Sequence, residues 1–543
     1  MEISVVESAD DAVMVSRTSL SRHGGRERRF VRSNAHAWTA NMSRRSQSHP
    51  LDHVARKLWE EGNREEAIAS WRRAVAADPG APELLVNLAW ALGQQQRTGE
   101  ALALAGRAVA LAPNEEYVRH TLGQVYYHAG QFEEALTQYQ AALRLRRDEA
   151  LLYCDLADAL YSLERYEEAA VNYQMALSFG GEDPYPRLWL GWARWQIGDN
   201  EGAEAEFAKT VEVQPDSPAA LYALGQARCA RHKFESARDL LEQALSLYPQ
   251  DEEEERSSAL CELGNAYRGL GQPEEAAERY RQALALDPTH DDARFNLGLV
   301  YADLDDWERA LSTFDIALQL QPEDVDALVE RGTVLAALGR HDEALGAYES
   351  ALVIDPNRPD ALLGMGRAYY SLSLHDHAVE FCRRAVAAIP EDGWAWYGLA
   401  VSLEAAREGE ESRGCMERAL ELSKGDDQLC VHISRWEISQ GRDPELAVRA
   451  ASTACLLAPD DADAYDALAA AFYFAGRFEE AVAPARRATD LASDVPDHWF
   501  GLGMILESLD HRPEARRAYR RALELAPEFE EAQEALRRLE DVL

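Results

Sequence analysis

Residues 257–290 read SSALCELGNAYRGLGQPEEAAERYRQALALDPTH, and their internal spacing decides how the whole chain folds. Leu263-Gly264, Tyr267, Ala276, Tyr280, Ala283 and Pro288 are matched thirty-four residues later by Leu297-Gly298, Tyr301, Ala310, Phe314, Ala317 and Pro322. Self-similarity at a fixed period marks a repeat architecture, in which each unit packs only against its neighbours.

Working outward, two small-residue columns recur through the chain. One runs from Ala55 through Gly123, Gly264 and Gly366 to Gly503, and the other from Ala67 through Ala135, Ala276 and Ala378 to Ala515. Each column predicts fourteen units. These are the places where helices cross most closely, so a large side chain there would push the crossing apart. A bulky column fills the gap between them, at Trp71, Tyr139, Tyr173, Phe207, Tyr280, Phe314, Tyr348 and Tyr519. Proline closes ten of the fourteen units, from Pro79 to Pro527. It cannot continue a helix, and so it sets the turn into the next unit.

This arrangement resembles the tetratricopeptide repeat, a helix–turn–helix unit. The resemblance implies an all-α fold: a right-handed α-solenoid superhelix of about fourteen such units with a C-terminal capping helix. The breaks divide it. A basic arm occupies 1–47 and six repeats fill 48–251. An acidic insertion at 252–256 belongs to a step of thirty-nine between Gly225 and Gly264. The run Asp251-Glu252-Glu253-Glu254-Glu255 reads as a solvated inter-repeat loop or as a dock for a basic partner. Five repeats follow over 257–426, then three over 428–529. The first of those three is irregular: Ser412 and Lys424 stand just before it where Ala and Pro belong, and Arg435 falls in the small column. Pro484, inside a second helix, predicts a bend. Residues 530–543 form a solvating terminal helix, with Ala532, Ala535, Leu536, Leu539 and Leu543 on one face.

Charge and cysteine usage narrow the partners. The net charge is −39, from 56 Lys and Arg against 95 Asp and Glu. A field of that sign repels phosphate backbones and anionic lipid, which argues against nucleic acid and membrane surfaces and suits basic or apolar partners. The seven cysteines are odd in number, scattered, and lack any C-x-x-C pair, so they read as buried small side chains in a reducing compartment. The arm carries eight arginines against five acids, a balance of +3 that leaves the remainder at −42. It lacks the apolar core of a signal peptide, and no run elsewhere nears the ~18 apolar residues of a membrane span. It reads as a solvated tail, a basic interaction arm, or an extension upstream of a start at Met42. The chain reads as cytoplasmic, without membrane insertion.

No catalytic, cofactor-binding or metal-binding constellation stands out. There is no phosphate-binding G-x-x-x-x-G-K-[ST] loop, no H-E-x-x-H and no G-x-S-x-G. His375-Asp376-His377, with His341 one repeat earlier, is the nearest approach to a metal-ligand group, and histidines in exposed turns are generally just solvated. The chain is thus read as non-enzymatic and without a cofactor. The resemblance implies that first helices line a concave groove that binds protein or peptide segments. The residue after each small position and the one three further on face that groove. They include Trp59, Trp90, Tyr127, Tyr161, Trp192 and Trp195, with Trp436, Tyr370 and Tyr473 further along; Tyr222 and Tyr397 sit one turn before. Trp and Tyr bury much area at little entropic cost, as interface anchors do. They equally suit packing between neighbouring first helices. The basic and amide residues at these positions, among them Arg56, Asn265, Arg268 and Arg367, do not form the matching set that chaperone-binding relatives use to clamp a carboxylate. The reading is a protein-interaction scaffold or adaptor with an aromatic, acidic groove and partners of basic character. The alternative is a substrate-recognition or assembly subunit of a separately encoded enzyme, such as a glycosyltransferase, or of a secretion machine.

Overall fold

The computed structural model describes residues 49–541, so the basic arm lies outside the described residues. Among them are twenty-nine helices and no strand, an α-solenoid of fourteen helix pairs and a terminal helix. The helices gather into two compact bodies, 49–300 and 301–541. The first body holds seven complete pairs, from Pro50–Glu60 with Arg64–Ala77 to Glu253–Gly269 with Pro273–Leu286. The second holds six, from Val325–Ala337 with His341–Ile354 to Pro496–Ser508 with Arg512–Leu525, besides Trp307–Leu320 and the terminal helix Glu530–Asp541.

Local chemistry sets the helix ends. Several first helices begin with proline in the first turn, where its missing N–H costs nothing, as at Pro82, Pro184, Pro218, Pro359 and Pro496. Others are capped by a carboxylate. Asp392 accepts from the N–H groups of Trp394 and Ala395, and Asp426 from that of Leu429. Within every pair the chain turns through one residue of positive φ. In the first body these are Gly62, Gln96, Gly130, Glu164, Gly198, His232 and Gly271; in the second they are Asp305, Gly339, Ser373, Arg407, Gly441, Gly476 and Asp510. The residue that follows donates back to a carbonyl five positions earlier, as from Arg97 to Leu92 and from Gln131 to Tyr126, which closes the first helix.

Packing explains the small and bulky columns together. The ring of each bulky residue lies over the small residue sixteen positions earlier. A Cβ added to Gly123 would stand 2.6 Å from the Tyr139 ring, one on Gly264 2.5 Å from Tyr280, and one on Gly332 2.6 Å from Tyr348. Where the partner is aliphatic the approach is similar, at 2.7 Å between Gly225 and Leu241. The bulky residues are fully or almost fully buried, so each pair supplies the core between its own two helices.

Three expectations change or sharpen. The acidic run is not an inter-repeat loop: Glu253, Glu254 and Glu255 form the first turn of a seventeen-residue helix, four longer than most first helices. Carboxylates at a helix N-terminus offset the partial positive charge of its unpaired N–H groups, which favours extending the helix over looping out. The irregular seam has a different register. Ser434, fully buried, takes the small position, while Arg435 is exposed and reaches Asp463 at 3.7 Å. The extra residue instead lies after Gly441, in the turn before the helix Pro444–Leu457, and Trp436 accordingly leaves the groove column. In that turn Arg442 bonds back to Glu404, to the Gly409 carbonyl at 3.0 Å and to Ser412 Oγ at 3.3 Å. Finally, the helix Phe478–Leu491 runs unbroken through Pro484. The terminal helix buries Ala532, Ala535 and Leu539 and keeps its charged residues in water.

Candidate functional site

The first helices of the body 49–300 carry three clusters of bonded polar side chains. Asp52, buried, accepts from Trp71 Nε1 and Asn87 Nδ2, each at 2.7 Å, and pairs with Arg56 at 2.7 Å. Asp155, 3% exposed, lies 2.6 Å from His120 Nε2 and accepts from Gln124 Nε2 at 2.9 Å. Gln226 donates to Glu262 at 2.9 Å, and Asn265 Oδ1 accepts from Tyr280 at 2.7 Å and Asn296 at 3.0 Å. Most of these bonds join one first helix to the next. The positions that the repeat motif leaves free therefore serve largely to hold neighbouring units in register, since buried polar groups are costly unless paired.

Asp158 stands at the centre of the most aromatic part of this face. It is half-buried and accepts from the Tyr173 hydroxyl at 2.6 Å and the Tyr185 hydroxyl at 3.0 Å. Burial, with the Asp158 charge adding to it, pushes both phenols well above the usual tyrosine range, so they remain protonated donors. Around it the rings interlock. Tyr161 meets Trp189 edge-on at 5.2 Å, Trp192 meets Phe207 at 4.9 Å and Tyr222 at 6.4 Å, and Tyr127 meets Phe132 at 5.3 Å. The Tyr127 hydroxyl lies 3.3 Å from Ser162 Oγ on the next first helix.

The residues expected to face a partner divide by burial. Trp59, Trp90, Trp192 and Trp195 are 3%, 2%, 7% and 9% exposed, held among other rings and aliphatic side chains. Trp59 packs against Trp71 and Trp90 at 5.9 and 5.1 Å, with the Arg64 guanidinium over its ring. Tyr127, Tyr161 and Tyr222 are half-buried and reach the surface. Tyr185 belongs with them, although the spacing of the groove columns does not reach it, because it lies six residues before Gly191. Asp155 escapes the same spacing, although the polar residues two before the small column (Asn87, Asp155, Glu262, Asn296) are its signal.

Elsewhere the chemistry is sparse. In the body 301–541, Tyr370 meets His375 edge-on at 5.7 Å, His377 stacks on Tyr369 at 5.2 Å, and Tyr473 meets Phe478 at 5.2 Å. Arg367 is exposed, and Tyr397 lies 5.8 Å from Trp394. Among the described residues no group of three or more His, Cys, Asp or Glu side chains is arranged to hold a metal ion, and no helix is long and apolar enough to cross a membrane. All seven cysteines are free thiols, six of them buried.

A chain of paired helices whose first-helix polar residues mainly join neighbouring units is a repeat scaffold. Models of the tetratricopeptide repeat match residues 58–125, 123–164, 216–289, 261–324, 301–359 and 499–529, and the chain belongs to the tetratricopeptide repeat family. Such repeats bind proteins and are typically non-catalytic, which makes the chain a protein-interaction scaffold or adaptor. Among solved structures it is similar to one titled "Crystal structure of APC/C hetero-tetramer Cut9-Hcn1", at 14% identity and a TM-score of 0.38, over 84% of this chain and 96% of that one. It is also similar to "Structure of Naa15/Naa10 bound to HypK-THB", at 15% identity and a TM-score of 0.31, over 91% and 96%. No curated protein matches.

Proposed function

We propose that the first-helix face between Glu116 and Ala230 binds an extended or helical segment of another protein, one bearing basic residues. One observation carries this reading. Four half-buried tyrosines, Tyr127, Tyr161, Tyr185 and Tyr222, lie on consecutive first helices; Tyr185 donates to the carboxylate of Asp158, Tyr161 meets Trp189, and Tyr222 meets Trp192. Rigid rings with one polar edge supply contact area at little entropic cost. The carboxylate and the net charge of −39 favour cationic side chains and speed their approach.

The half-buried tyrosines are the proper probes. Truncating Trp192 or Trp195 would empty packed volume, at about 3–5 kcal/mol each, and confound binding with folding. A Tyr161→Ala, Tyr222→Ala double variant should lose a partner identified by affinity purification and mass spectrometry by at least about ten-fold, the scale of one interface anchor. Its helical circular dichroism should be unchanged. Equal recovery of every partner by the two chains would sink the assignment of this face.

A further inference from the structure

The basic arm and the tyrosine face are complementary, and they belong to one molecule. All but one of the arm's acids fall within its first eleven residues, so residues 12–47 hold eight arginines and a single acid, Glu27, a balance of +7. Phe30, Val31 and Trp38 lie among those arginines, giving the segment the mixture of cations and apolar groups that the face around Asp158 suits. We infer that residues 12–47 are a ligand of this face in cis, occupying it until an outside partner displaces them. The inference rests on the reading of the face proposed above and names one occupant for it.

Reach and concentration both permit this. The arm ends at the start of the first helix, Pro50–Glu60, and the face lies on the third to sixth first helices. At about 10 Å between packed helices, five steps from the first unit to the sixth come to about 50 Å. Residues 12–47 span up to about 120 Å when extended. A covalent link sets an effective concentration on the order of 1 mM. A segment that binds with a dissociation constant of about 100 µM as a free peptide would then occupy the face about nine-tenths of the time. Arginine against a charge of −42 on the rest of the chain also makes the contact salt-sensitive.

The test uses full-length chains and a fluorescein-labelled peptide of residues 12–47 as probe. It compares the natural chain, a chain whose eight arm arginines are all changed to serine, and that second chain also carrying Asp158→Asn and Tyr161→Ala. Freed from competition in cis, the serine chain should bind the probe about ten-fold more tightly than the natural chain. The added face substitutions should remove at least ten-fold of that binding, as should raising NaCl from 50 to 500 mM. Equal affinity for the natural and serine chains overturns occupancy in cis. Probe binding that is indifferent to the face substitutions, or absent from every chain, overturns the arm as ligand of this face. Capture of outside partners by the Tyr161→Ala, Tyr222→Ala variant separately decides whether the face itself binds.

Discussion

At the scale of single residues, stability turns on close approaches rather than on any one large burial. Gly264 lies beneath the Tyr280 ring, with 2.5 Å left for a Cβ. Gly264→Ala should destabilise the first body by about 1–3 kcal/mol, the usual cost of an overpacked core. A further Tyr280→Leu should recover part of that loss, because the two positions share one space. Denaturant melts of the two single variants and the double variant measure the coupling, and strict additivity would refute it. A milder effect operates at the turns. Ser373 holds φ at 58°, a left-handed conformation that disfavours any residue with a Cβ. Ser373→Gly should stabilise the second body by about 0.5 kcal/mol, the balance between that strain and the extra freedom of glycine when unfolded. A lowered melting midpoint would count against the strain.

At the scale of helices, the junction of Asp427–Gln440, Ala462–Phe474 and Pro496–Ser508 carries the clearest titrating group. His498 is buried, with Nε2 3.4 Å from Asp463 Oδ1. The hydrogen bond to Asp463 raises its pKa above the usual imidazole value, the charge of Asp466 adds to the rise, and burial opposes it. Arg435 and Asp497 are the other charged groups facing these carboxylates. A raised imidazole pKa stabilises the fold fully below the unfolded value of about 6.5 and loses that contribution as pH climbs through the folded value. The second body should therefore melt at a lower temperature at pH 8 than at pH 6, and His498→Gln should flatten that dependence. An unaltered slope in the variant would assign the effect elsewhere. Helices were also what the sequence revealed best. Their number, pairing and core columns could be read from Ala55 to Gly503, because a close crossing tolerates only a small residue and so leaves a mark in the chain. The seam could not be placed. Ser434 and Arg435 are neighbours, and only packing shows which one is buried. The tyrosine face was half legible: aromatic residues announced themselves, but burial that separates Trp192 from Tyr161 depends on the neighbouring helices.

At the scale of the whole molecule, charge dominates. With a net charge of −39 the folded chain repels itself through water. Salt shortens the range of that repulsion from about 30 Å at 0.01 M to about 3 Å at 1 M. The melting midpoint should rise as NaCl is raised from 20 to 300 mM, whereas a fall would mean that ion pairs such as Arg72–Glu100 outweigh the repulsion. The pairing of small and bulky residues across each hairpin has a further consequence, for how such chains can be shuffled. A first helix taken from the unit with Gly264 and set against Cys382 would leave a hollow where a phenol had been. One taken from the unit with Ala89, whose own counterpart is Ala105, would bring a Cβ to the place where Gly264 leaves only 2.5 Å beneath the Tyr280 ring. The smallest part that can be moved between units, or duplicated to lengthen the array, is therefore the entire hairpin carrying both halves of its own fit.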